Sequence, residues 1–193
     1  MFKTLWTAPV VSLSLLSALS GPLAADEENT SLQAQLNGFE QVPPVNTTGT
    51  GSFEGHINAD GTITYKLTYS KLSATGAVNF ADIHFGQEHF TPNGIILLLC
   101  SNQTVTHPGG KTSPMGTPAC PTTSGTVTRT IRADSIVGPA VQGINPGDLS
   151  GAVQALLNNT TYAQVHTVAF TNGEIRGQIE REDDSDQDAD RRR

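Results

Sequence analysis

The chain reads as an all-β protein, an antiparallel β-sandwich or barrel of about eight strands with one short helix. Three observations carry that reading. Short segments alternate apolar and polar residues with the two-residue period of a half-buried strand. Tight-turn dipeptides, Asp60-Gly61 and Asn172-Gly173, stand between such segments. Only one stretch, around residues 149–157, repeats its apolar residues at helical spacing.

Taken in order, Leu32, Ala34 and Leu36 alternate with Gln33, Gln35 and Asn37 and predict a first strand. Val42-Pro43-Pro44-Val45 ends the pattern, because proline cannot donate to a ladder. Gly51, Phe53, Gly55 and Ile57 share one face of a second strand. Beyond Asp60-Gly61, Ile63, Tyr65, Leu67 and Tyr69 mark the clearest strand of all. Val78 to Gly86 follows, with Ala81, Ile83 and Phe85 facing a core and Asp82 and His84 on the opposite face. Ile95 to Cys100 is continuously apolar, as expected of an interior strand buried on both faces. Gly125 to Arg132 reads as a Thr-rich strand. Leu149, Ala152, Val153, Leu156 and Leu157 predict the helix, with Asp148 to cap it and Asn158-Asn159 to end it. Tyr162 to Ala169 returns to strand, with Val165 on one face and Gln164 and His166 on the other. After the Asn172-Gly173 turn, Ile175, Gly177 and Ile179 alternate with Glu174, Arg176 and Gln178. No internal repeat interrupts this order, so one domain is expected from about residue 30 to 180.

The ends have a different character. Residues 1–25 combine Lys3, an apolar run from Leu5 to Leu16, and small residues up to Ala24-Ala25, the arrangement of a secretory signal peptide. The run is shorter than the ~20 residues a span needs, so no membrane span is expected after cleavage. Residues 181–193 close the chain as a charged tail without apolar periodicity, expected to be disordered. The formal charge is −7. An acidic chain poor in Lys excludes nucleic acid as a natural partner, since such binding rests on neutralising phosphates. The only two cysteines, Cys100 and Cys120, lie in the exported part and flank a segment rich in Pro and Gly. An oxidising compartment then predicts a disulfide between them. The expected location is periplasmic or extracellular, and the expected partner is an extracytoplasmic ligand whose identity the residues do not specify.

The chemistry centres on three side chains. Asp82, His84 and His166 would form a two-His, one-carboxylate set if their strands are neighbours, and such a set suits zinc, copper or iron. The plainer reading is a surface pair in which Asp82 orients His84, with His166 nearby by accident and no cofactor. His89 could join from the loop after the Asp82 strand, while His56 and His107 read as exposed. No G-x-S-x-G elbow or phosphate loop is present. Asp183-Asp184 lies in the tail, where no fixed carboxylate separation can be held for glycoside cleavage. Glu174 and Arg176 read as an exposed structural pair. No catalytic residue is assigned.

The ordered pieces now quoted resemble the CHRD domain, the module repeated in chordin and found singly in bacterial exported proteins. They are Leu36-Asn37-Gly38 with Glu40 and Val42-Pro43-Pro44-Val45, the Asp60-Gly61 turn, and Ala81-Asp82-Ile83-His84-Phe85-Gly86. Then come Gly116-Thr117-Pro118-Ala119-Cys120-Pro121, Tyr162 to Thr167, and Gly173-Glu174-Ile175-Arg176-Gly177-Gln178-Ile179. The resemblance implies an immunoglobulin-like β-sandwich and an exported, non-enzymatic binding or scaffolding module. Many members carry His-x-His where this chain has Asp82-Ile83-His84, a departure from an all-histidine site. The His-x-His strand is also similar, at motif level, to the copper-ligating strand of copper/zinc superoxide dismutase. That similarity implies the alternative function, a metal-binding and possibly redox-active protein using Asp82, His84 and His166.

Overall fold

The computed structural model of the protein describes residues 30–73, 77–87, 94–103 and 116–182. The expected signal peptide, the charged tail beyond residue 182, His89 and His107 lie outside these residues. Eight strands form one antiparallel sheet. They are β1 (Ser31–Asn37), β2 (Thr50–Ile57), β3 (Ile63–Ser70), β4 (Val78–Phe85), β5 (Ile95–Ser101), β6 (Gly125–Ile131), β7 (Thr161–Thr167) and β8 (Ile175–Arg181). Their order across the sheet is β5-β4-β7-β8-β1-β2-β3-β6. The sheet curls until its two ends nearly meet. The Tyr65 hydroxyl of β3 donates to the Leu99 carbonyl of β5 from across the interior. The expected class, strand number and single helix α1 (Leu149–Leu157) all hold.

The interior holds the predicted alternate residues: Leu32, Ala34 and Leu36 from β1, Phe53 from β2, Leu67 from β3, Val165 from β7 and Ile179 from β8. Helix α1 adds Ala152, Ala155 and Leu156. It starts where the sequence places it, with Asp148 Oδ1 accepting from the Gly151 amide at 2.9 Å, one of the bonds that an N-cap supplies. Cys100 and Cys120 are bonded.

Two expectations need correction. The strand β5 is buried on both faces, yet it ends the sheet instead of lying within it. The segment after β6 covers its free edge, with the Val137 amide donating to the Ile96 carbonyl at 2.8 Å. Register shifts between β4 and β5 turn Ile96 and Leu99 into the core, while Leu98 stands opposite Asp82. The Asn172-Gly173 dipeptide does not make a two-residue hairpin. The strand β7 stops at Thr167, two residues short of its expected end, and residues 168–173 form a longer strap before β8. The turn signal is real, but the strap is stabilised by what lies beneath it.

Candidate metal centre

Strand alternation and pairing together assemble the site. The strands β4 and β7 are neighbours, with Phe80 opposite His166, Asp82 opposite Gln164 and His84 opposite Tyr162. Phe80, Asp82 and His84 of β4 and Tyr162, Gln164 and His166 of β7 therefore share the face directed away from the core, while Val78, beyond a register shift, turns inward. The next strand continues the pattern, since Gln164 pairs with Arg176 and Tyr162 with Gln178. An outward face of this kind is ordinarily solvated, and the sequence alone predicts it to be so. Here it is buried: Asp82 is 0 % exposed and His84 and His166 are each 6 % exposed. Loops seal it. Gln164 Nε2 donates to Gln41 Oε1 from the loop after β1 and to the Asn172 carbonyl of the strap, both at 2.8 Å. Arg176 donates to the Gln87 carbonyl at 2.8 Å. The surface pair expected from the sequence is thus corrected to a buried group of three.

Asp82 lies between the two imidazoles. Its Oδ1 is 3.3 Å from His166 Nε2, and its Oδ2 is 3.1 Å from His84 Nε2. The first contact is a hydrogen bond. The second is an ion-pair contact without hydrogen-bond alignment, so among the described residues Asp82 Oδ2 and both nitrogens of His84 are buried without a hydrogen-bond partner. Such orphaned atoms are uncommon in a folded interior and call for an explanation, an ion among them. The other nitrogen of His166, Nδ1, lies 3.0 Å from the Thr171 carbonyl. A carbonyl can only accept, so Nδ1 carries a proton, and Nε2 is the nitrogen that faces Asp82.

The aromatic surroundings fix the rings. His166 stacks on Phe80 with centroids 4.2 Å apart, and His84 stacks on Tyr162 at 4.8 Å. The Arg176 guanidinium carbon lies 3.6 Å from the centre of the Tyr162 ring, a cation–π contact on the ring's other partner. Burial pushes the Tyr162 hydroxyl up to about 12, so it stays protonated. Burial alone would raise the Asp82 carboxyl, but the charges of His84 and His166 outweigh it and hold the group well below the usual carboxylate range. Burial likewise opposes a charged His166, yet the Asp82 carboxylate and the Thr171 carbonyl prevail and raise it.

One ligand atom from each of Asp82, His84 and His166 lies within 4.8 Å of the others. Ligands about 2.1 Å from a tetrahedral ion are about 3.4 Å apart, so the widest pair would close by up to about 1.4 Å on binding. The residues therefore fit a metal: two imidazoles, one carboxylate, orphaned donors and a supporting carbonyl behind His166. His56 is exposed beside Thr30 and takes no part.

Other expectations fail here in an informative way. Glu174 and Arg176 are not an exposed pair; they are 0 % and 2 % exposed and take different partners. Glu174 accepts from Thr47, Thr167 and the Ser73 amide. Sequence reasoning also missed Phe80, Tyr162, Gln41 and Arg176 as neighbours of the site. The even-numbered positions of β4, β7 and β8 were the available signal for Phe80, Tyr162 and Arg176, whereas Gln41 lies in the loop after β1 and had none. What hid them was the assumption that an outward face is wet.

Comparison with known proteins gives one match. No curated protein and no solved structure is significantly similar to the chain. A family model, the CHRD domain, matches residues 32–179, which run from β1 into β8 and take in every strand and all three candidate ligands. The chain belongs to the CHRD domain family.

Proposed function

We propose that this protein is an exported CHRD module that binds a metal ion, copper, zinc or iron, through Asp82, His84 and His166. The observation that carries the proposal is the buried convergence of these three side chains, in which Asp82 Oδ2 and His84 Nε2 meet at 3.1 Å without hydrogen-bond alignment and His84 Nδ1 has no hydrogen-bond partner among the described residues. A purely structural cluster would be expected to pair those atoms, since an unsatisfied buried polar group costs about 1–3 kcal/mol. Three protein ligands are the number found where a metal keeps a position for an exchangeable ligand. Bound copper or iron would supply one-electron chemistry. The chain's own contribution is to hold the ligands in a dry, aromatic-walled site and to fix the His166 tautomer.

Export is part of the same proposal. CHRD domains occur in extracellular proteins, and the Cys100–Cys120 disulfide suits an oxidising compartment. Among the described residues no helix is long and apolar enough to cross a membrane.

Elemental analysis of the purified mature protein, followed by titration of zinc and copper into metal-free wild type, His84→Ala and His166→Ala, tests the reading. We expect about one ion per wild-type chain and loss of most affinity in either variant. Equal, weak binding by all three proteins would overturn it and leave a non-enzymatic binding or scaffolding module as the function.

A further inference from the structure

We infer that Glu174 and Thr167 are positioning residues for His166: together they clamp the base of the 168–173 strap, whose Thr171 carbonyl sets the imidazole. The inference rests on the metal-binding reading of His166. The strand β7 fixes only where the His166 side chain begins. The outer torsion of a histidine is broad, so ring orientation must come from the ring's neighbours. Phe80 stacks on one flat face, which restrains tilt but not a half-turn exchanging the two ring edges. The Thr171 carbonyl at Nδ1 removes that ambiguity.

The strap has little apolar packing to hold that carbonyl. Val168, Ala169, Thr171 and Asn172 are exposed. Its shape instead comes from hydrogen bonds at its base. Thr167 Oγ1 donates to Glu174 Oε2 at 2.8 Å and accepts from the Phe170 amide at 3.2 Å. The Thr167 and Gly173 amides both donate to the Phe170 carbonyl, at 3.2 and 3.0 Å. The strap is therefore a loop closed at Thr167 and Glu174 and pinned at Phe170. Glu174 in turn is anchored on its other oxygen by Thr47 Oγ1 at 2.6 Å and the Ser73 amide at 2.8 Å. A buried carboxylate with no cation among these partners is an expensive way to stabilise a loop. Its position is accounted for if orienting His166 is what it does.

Four proteins test this: wild type, Thr167→Val, Glu174→Gln and Thr47→Val, each titrated metal-free with zinc against a competing chelator. Thr167→Val keeps the side-chain shape and removes the link between Glu174 and the Phe170 amide. It should weaken zinc by about ten-fold, the lower end of the effect of supporting groups behind a ligand. Glu174→Gln keeps an acceptor for Thr47 and Ser73 and should fall between wild type and Thr167→Val. Thr47→Val removes a hydrogen bond to the same carboxylate on the side away from the strap. It should lose comparable stability with zinc affinity unchanged. Wild-type affinity in Thr167→Val, or an equal loss in Thr47→Val, would overturn the inference. A second readout is independent of metal: the His166 Nδ1 proton, followed by nitrogen-15 NMR, should be slow to exchange in wild type and Thr47→Val and lost in Thr167→Val. If wild type binds no zinc, the metal reading falls, and this proton still decides whether the clamp orients the ring.

Discussion

Replacing Asp82 by Asn keeps the shape of the buried side chain and removes its charge, and the consequence for stability depends on pH in a defined direction. The folded-state pKa of Asp82 is lowered, so its stabilising contribution is present above the unfolded value near 3.9 and is lost as pH falls through the folded value. The folded-state pKa of His166 is raised, so its contribution is full below the unfolded value near 6.5 and is lost as pH rises through the raised value. Both contributions are present together between about pH 4 and 6.5. Within that window, removing one partner of a buried pair costs roughly 3–5 kcal/mol, and the residual hydrogen bonding of Asn argues for the lower end. For a domain of this size about 3 kcal/mol lowers Tm by roughly 6–12 °C. Once pH has risen through the raised His166 value the imidazole has lost its charge, and wild type itself then buries a carboxylate without that counter-charge. The Asp82→Asn penalty should shrink there to about 1 kcal/mol or less, the scale of one neutral hydrogen bond. The assay is urea denaturation of metal-free wild type and variant, with chelator present, in steps from pH 5.5 upward, with the His166 charge followed by NMR in the same samples. A penalty that stays as large after His166 has lost its charge as at pH 5.5 would refute the charge argument and leave packing as the cause.

Three further outcomes are expected. Leu98→Asp places a second carboxylate opposite Asp82 at a site 1 % exposed. It should cost at least ~3 kcal/mol, and an unchanged melting temperature would show that β5 is not packed as described. Gly173→Ala puts a methyl 2.0 Å from Gln164 Nε2 at a residue with φ of +110°. Backbone strain and the displaced amide together should cost about 3 kcal/mol by urea denaturation, with a result under ~1 kcal/mol counting against the strap as drawn. Titration of unreduced, denatured protein should find no free thiol, and replacing both Cys100 and Cys120 by Ser should cost about 3 kcal/mol for a loop of this length. Two free thiols per chain would contradict the disulfide.

The strands were legible because each buries one face, and burial of one face writes a two-residue period into the sequence. Leu32, Ala34 and Leu36 on β1, or Ile63 to Tyr69 on β3, needed nothing beyond that period to be placed. Asp82, His84 and His166 were legible as candidates for the same reason, since parity alone puts them opposite their apolar neighbours. Their burial was not legible. It depends on the loop after β1, Gln87 just beyond β4 and the strap after β7 lying against the outer face of three strands, and those segments carry no period. Glu174 shows the limit most clearly. Its parity matches that of Arg176, yet it lies before the first residue of β8 and turns toward Thr47 and Thr167, so strand alternation did not apply to it. The end position of β5 was hidden for a related reason. A continuous apolar run reports burial of both faces, not the number of hydrogen-bonded neighbours.

The pairing of β1 with β8 has a mechanical consequence. The two strands are antiparallel, Leu32 lies opposite Arg181, and the Glu182 amide donates to the Ser31 carbonyl at 3.0 Å. The chain therefore enters and leaves the domain at the same end of adjacent strands. Tension applied between these two points acts across the strands, not along them. Hydrogen bonds loaded in that way open one after another, like a zipper, and each needs little force. Strands pulled lengthwise would resist as a group. A domain held at both ends would yield first where β8 peels from β1, and the strand that peels carries Arg176, with Glu174 just ahead of it. Stretching would thus reach the supports of the Asp82, His84 and His166 face before it disturbed most of the core.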